Sequence, residues 1–347
     1  ETIDVTSNQV TGTGTTQIII NPSADFDSST AYYVQIDSTA FDDSSGNSYA
    51  GISDTTSLSF TSADVGVPTL SSFSPAFGAT DITVDSNIVL NFSEAVDVET
   101  GHITLYKTSD NSVVESIAVT SNQVTGSGTT QITINPTSNF DSSTAYYVQI
   151  DSTAFDDAAG NSYAGISDTT SLSFTTADVI APSLSSSSPA DNATAVAIDS
   201  NIILNFSEAV EVKTGNISIK KTTDNSTVET IAVGNSQVTG SGTTQITINP
   251  SADFDSSTAY YVQIDATALD DSSGNSYAGI SDTTSLSFST ADVITPSLSS
   301  SSPTDNATAV AVDSNIILNF SEAVDVKTGN ITIKKTSDNS TIETIED

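Results

Sequence analysis

Phe254-Asp-Ser-Ser-Thr-Ala-Tyr260 runs directly into Tyr261-Val-Gln-Ile264. The Asp-Ser-Ser-Thr cluster is turn chemistry, since these short polar side chains bond to their own backbone. Tyr260, Val262 and Ile264 then alternate with their neighbours at the two-residue period of a half-buried strand. The phrase from Asp255 to Asp265 stands unchanged at 141–151 and 27–37, so it recurs at a fixed spacing of 114. Asn91-Phe-Ser-Glu-Ala-Val96 recurs at 205–210 and 319–324, and Ile52 to Phe60 recurs at 166–174 and 280–288. Solenoid repeats are shorter and cannot bury a core alone, so this period predicts whole domains in tandem. An active site is needed once, whereas a spacer is useful in proportion to its copy number.

The 347 residues make three periods and five residues more. One period is a comfortable single-domain size. Forty-three acidic residues face seven basic ones, all of them Lys, for a formal net charge of -36. That balance excludes nucleic acid as a partner and disfavours an anionic membrane surface, while favouring cations. Self-repulsion between neighbouring copies is the solubility reading of the same charge. The chain has no Cys, Met or Trp, which removes disulfides, zinc thiolates and Cys nucleophiles together. No stretch approaches the roughly 18 consecutive apolar residues of a membrane span.

Ala63-Asp-Val-Gly-Val-Pro68, Ala177-Asp-Val-Ile-Ala-Pro182 and Ala291-Asp-Val-Ile-Thr-Pro296 each follow an alternating apolar run and end in Pro, which stiffens the exit. Read as boundaries, they give complete domains at 66–179 and 180–293. The C-terminal part of one domain (1–65) and the N-terminal part of another (294–347) flank them. Within 180–293, Ile202, Leu204 and Phe206 define one apolar strand, and Ile217 and Ile219 a half-buried one. Val228, Ile231, Val233, Ile246 and Ile248 continue the pattern between the turn clusters Thr223–Ser226, Gly240–Gly242 and Asp271–Asn275. Some seven short strands with no helical period predict an all-β sandwich.

In the opening phrase, an apolar residue is followed by Thr258 four positions on and Tyr260 six positions on. This resembles the tyrosine corner of Ig-like sandwiches, in which the Tyr hydroxyl bonds to the backbone. Tyr32 and Tyr146 occupy the same place, and Tyr33, Tyr147 and Tyr261 are expected to point outward. With the Asn-Phe-Ser-Glu-Ala-Val motif, the Asp-Asp-x-x-Gly-Asn loop and the Ala-Asp-Val-x-x-Pro linker, each repeat resembles the bacterial Ig-like domains of large secreted surface proteins and adhesins. The resemblance covers essentially the whole chain. It implies tandem Ig-like β-sandwich domains serving as stalk or extender modules of exported, often calcium-dependent proteins, with an extracellular or cell-surface location.

Catalysis finds little support, because the single His102 is replaced by Asn216 and Asn330 in the other copies. Metal binding has a geometric case. In an Ig-like sandwich the B–C and F–G loops lie at the end where the chain enters. Glu208 is expected in the B–C loop, Asp270 and Asp271 at the start of the F–G loop, and Asp178 in the preceding linker. Asp64, Glu94, Asp156 and Asp157 repeat this set one period earlier. Calcium takes roughly six to eight oxygen ligands in irregular geometry, so it suits such a set better than magnesium or zinc. The competing reading is that Asp43-Ser-Ser-Gly-Asn47 and its copies are simply turns. That leaves the linker Asp and the loop Glu unexplained.

The leading expectation is an extender segment of a long extracellular repeat protein, its partners being neighbouring repeats of the same chain and other copies in a fibre. One alternative is a filament subunit in which 294–347 of one copy pairs with 1–65 of the next; a window cut from a longer array is the plainer reading of those ends. A second alternative is a glycan- or surface-binding module, which needs an exposed aromatic platform; Tyr33, Tyr147 and Tyr261 are the regular candidates.

Overall fold

The computed structural model describes residues 1–345, and every regular element among them is a β-strand. The chain divides into two compact units, Glu1–Ile180 and Ala181–Asp347. Each contains one complete two-sheet sandwich.

In the first unit the sandwich spans the strands from Leu70–Ser74 to Ser173–Thr176. One sheet is built on the long strand Ile88–Val98, flanked on one side by Thr129–Ile134 and then Val124–Thr125. On its other side it pairs first with Leu70–Ser74 and then with Phe155–Asp156. The second sheet runs Ala79–Ile82, Ser173–Thr176, Ala145–Ile150, His102–Lys107, Val113–Ala118. All its pairings are antiparallel except the first, in which Ala79–Ile82 lies parallel to Ser173–Thr176. The second unit repeats the plan with Leu184–Ser188, Ile202–Val212, Thr243–Ile248, Val238–Thr239 and Leu269–Asp270 in one sheet. Ala193–Val196, Ser287–Thr290, Ala259–Ile264, Asn216–Lys221 and Thr227–Ala232 form the other.

The cores follow from alternation. Ile88, Leu90 and Phe92 point inward from one sheet and Ile103, Leu105, Tyr146, Val148 and Ile150 from the other, all buried. Ile202, Leu204, Phe206, Ile217, Ile219 and Tyr260 repeat this in the second unit. Phe140 and Phe174 meet edge-on at 5.2 Å between ring centroids, and Phe140 lies 4.9 Å from Tyr146, so aromatic packing adds to area burial here. The tyrosine corner is present in three copies. The Asp255 backbone N–H donates to Tyr260 Oη at 2.8 Å, as Asp141 does to Tyr146 and Asp27 to Tyr32. The hydroxyl is therefore the acceptor. Thr258 adds a brace, its own N–H donating to Thr290 Oγ1 at 3.0 Å.

Two expectations are corrected. Tyr147 and Tyr261 do not point into solvent; both are buried. Tyr147 stacks on Tyr106 at 4.8 Å with 7° between planes, and its hydroxyl donates to Asn111 Oδ1 at 3.2 Å. Tyr261 donates likewise to Asn225 Oδ1, also at 3.2 Å. The hairpin turn carrying Asn111 or Asn225 thus covers the outer face of the strand. Tyr33 remains exposed because the strand and turn that would cover it are not in the 1–65 segment.

The flanking segments hold strand pairs, such as Ala31–Tyr33 with Ser59–Thr61 and Ile331–Lys334 with Thr341–Ile345, but among the described residues they form no closed core. Ile20 is 40% exposed where its counterpart Ile134 is fully buried, and Leu318 is 42% exposed where Leu204 is fully buried.

Candidate metal centre

Asp64 leaves the first segment in the linker, held by its own neighbourhood. Its Oδ1 accepts from Ser28 Oγ at 2.9 Å and from the Gly66 N–H at 3.0 Å. The Ser28 hydroxyl in turn accepts from the Val65 N–H. Asp157 starts the loop after Phe155–Asp156, and its carboxylate is the hub of that turn. Oδ1 accepts from the Ala159 and Asn161 N–H groups and Oδ2 from Asn161 Nδ2, all at 2.8 Å. Gly160 closes the turn at φ 88°, a conformation that costs Gly nothing. Asn161 also donates to the Asp64 carbonyl at 3.3 Å, so the loop and the linker are tied to one another.

Glu94 arrives from a different element than expected. It is not in a loop but within the strand Ile88–Val98, at the point where that strand changes partners. Leu70–Ser74 ends its pairing at Phe92, and Phe155–Asp156 begins at Asp97. On the other side the register jumps from Asn91↔Gln131 to Val96↔Thr129. Between those pairs four residues, Phe92 to Ala95, face the single Thr130, a bulge that frees Glu94 to turn toward the chain entry. Glu208 sits at the same place within Ile202–Val212, so it too belongs to a strand.

One carboxylate oxygen each from Asp64, Glu94 and Asp157 fall within 4.8 Å of one another. Two oxygens on one calcium ion, each about 2.4 Å away, can be no more than about 4.8 Å apart. The donor set therefore fits a calcium-sized, hard cation. Its electrostatics agree: Glu94 has its carboxyl pushed up, by desolvation first and then by the charges of Asp157 and Asp64. Asp157 is held below the ordinary range by the Asn161 side chain and the loop N–H groups. Among the described residues, no hydrogen-bond donor reaches the Glu94 carboxylate.

The carboxylates do not all converge. Asp156 precedes Asp157 on a strand, so its side chain takes the opposite face; its backbone pairs with Asp97 and Ser162. Asp270 pairs with Glu211 and Ser276 in the same way. Within the second unit Glu208 and Asp271 bring an oxygen each within 4.8 Å. Burial pushes the Asp271 carboxyl up, but the Asn275 and Ser273 bonds outweigh it and hold it low. Asp178 ends the first unit as the counterpart of Asp64, with its Oδ1 accepting from Ser142 Oγ at 2.9 Å and from the Ile180 N–H at 3.1 Å. His102 lies exposed with Nδ1 3.7 Å from Asp151 Oδ2.

The family model of a bacterial Ig-like domain matches residues 1–62, 64–176, 178–290 and 292–346. No curated protein matches the chain. Among solved structures, the N-terminal part of the bacterial S-layer protein SbsC is similar at 12% identity and a TM-score of 0.24, over 62% of this chain and 43% of that one. The BSP domain of a biofilm associated protein is similar at 12% identity and a TM-score of 0.18, over 66% and 30%. Extracellular domains 3–5 of Drosophila OTK are similar at 9% identity and a TM-score of 0.23, over 69% and 70%. The chain thus spans less than half of the first two.

Proposed function

The chain belongs to the bacterial Ig-like domain family, matched in four tandem repeats, and on that premise we propose that it is an extender segment of an extracellular or cell-surface repeat protein, stiffened by calcium where one repeat hands over to the next. The observation that carries the calcium reading is the trio of oxygens from Asp64, Glu94 and Asp157 within 4.8 Å. They come from three separated segments: the linker, the bulged strand and the loop. A cation shared among them fixes the linker against the domain it enters. Without it, three carboxylates in one place repel. The sequence carries the same residue types one period on, at Asp178, Glu208 and Asp271. The near-identity of the repeats supports a spacer over a catalyst, since nothing singles out one copy for chemistry.

A ligand that binds only the folded state raises its melting temperature by mass action. Calorimetry of the whole chain should therefore show the melt rising with calcium concentration and falling back in chelator. Glu94→Gln with Glu208→Gln should abolish the response while leaving the melt in chelator unchanged or higher. An identical melt in calcium and in chelator would mean that these carboxylates only solubilise the surface.

A further inference from the structure

A second feature belongs to only one repeat. On the flank of the 66–179 sandwich, Leu70, Phe73, Phe77, Tyr163, Ile166 and Asp168 line an open groove of about 640 Å³. It lies where the chain leaves the edge strand Leu70–Ser74 of one sheet to enter Ala79–Ile82 of the other. Phe77 stands 65% exposed at its mouth.

The neighbouring repeat, otherwise nearly the same, has Ser187 and Asp191 at the places of Phe73 and Phe77, and the next has Ser301 and Asp305. In the 180–293 sandwich Asp191 serves the fold: its Oδ1 accepts from both the N–H and the hydroxyl of Ser287 at 2.9 Å. Phe77 can make neither bond and buries little surface in return, so the fold gains nothing from it. Both aromatic replacements fall on the same groove.

The rim decides what such a groove takes. Asp168 is fixed by the Thr170 and Ser171 N–H groups at 2.7 and 2.6 Å and by the Ser171 hydroxyl at 2.6 Å. These bonds, the Ser171 hydroxyl first, hold its carboxyl well below the ordinary range. The rim thus offers a permanently ionised acceptor beside ring faces. Polyanions are repelled by a net charge of -36. A neutral saccharide matches both parts of the groove: hydroxyl donors for the carboxylate and an apolar C–H face for the ring.

We infer that this groove is a binding site for a neutral saccharide, which packs a sugar face on Phe77 and Phe73 and donates hydroxyls to Asp168. Only one of the two complete repeats carries it, so the segment has one lateral contact point rather than a periodic series.

The test is saturation-transfer NMR on the whole chain with three neutral probes: a hexasaccharide of β-linked glucose, one of α-linked glucose and one of N-acetylglucosamine. Transfer to ring C–H protons of at least one is expected, weakened roughly fivefold or more in Phe77→Asp. Phe77→Asp installs the residue that the folded 180–293 repeat already carries, so this variant should melt no lower than the parent, while Phe73, half-buried against the core, is left in place. No transfer to any probe overturns the inference, as does equal transfer in Phe77→Asp. So does a groove that responds to an apolar, lysine-bearing peptide and to no saccharide.

Discussion

Tyr260 and Tyr261 are adjacent and both buried, yet for different reasons. Tyr260 belongs to the core and accepts the Asp255 N–H. Tyr261 faces away from the core and is covered by its own hairpin turn. Tyr260→Phe keeps the ring and leaves the Asp255 N–H without its acceptor, so it should destabilise the 180–293 sandwich by about 1 kcal/mol. Chemical denaturation of the variant reads this directly, and an unchanged midpoint would show that water replaces the bond without loss. The corner was legible because the spacing of Phe254, Thr258 and Tyr260 is a local property of the chain. The covering of Tyr147 and Tyr261 was not, since it depends on a hairpin 36 residues earlier folding over the strand. Within the two complete sandwiches the exposed aromatic is instead Phe77, which no periodicity marks.

At the scale of elements, alternation identified strands such as Ile202–Val212 correctly at their start and stopped short at Ser207-Glu208. Polar residues there interrupt the two-residue period, which reads as a loop. The chain in fact continues as a strand through a bulge while exchanging one edge partner for another. That exchange is a sheet property and leaves no local signature. The Asp157 loop shows the opposite case, where the turn reading was right in detail. Turn and cation roles are separable by variant. Asp157 is held low by its loop bonds, so its contribution to stability is present above the ordinary carboxyl value near 3.8 and lost as pH falls through its lower folded value. Glu94 is pushed up from 4.5, so its protonated form favours the fold, and that contribution is lost as pH rises through its raised value. Calcium needs both ionised. The calcium-dependent rise in the melt should therefore fade as pH drops into the range where Glu94 takes up its proton. A calcium response unchanged from neutral pH down to pH 4.5 would remove Glu94 from the ligand set.

For the whole molecule, the contrast between closed and open cores governs what folds alone. Residues 180–293 contain every strand of a complete sandwich. Expressed alone, they should give one cooperative melt with a β-type circular dichroism spectrum. The 294–347 segment, which leaves Leu318 and Ile331 in water, should show no cooperative transition under the same conditions. A non-cooperative 180–293 would move the domain boundary. The parallel pairing of Ala79–Ile82 with Ser173–Thr176 has one more consequence. These strands lie next to the two ends of their repeat, and they point the same way. Tension applied through the chain draws them in opposite directions along their common axis. Their linking bonds, such as the Gly78 N–H to the Ser173 carbonyl and the Ala177 N–H to the Ile82 carbonyl, both 2.8 Å, are then loaded together in shear instead of being unzipped singly. A pulling experiment on the whole chain should record two high-force rupture events, one per complete sandwich, and Thr176→Pro, which deletes the N–H bonded to the Thr144 carbonyl just before the strand Ala145–Ile150, should weaken one of them and spare the other.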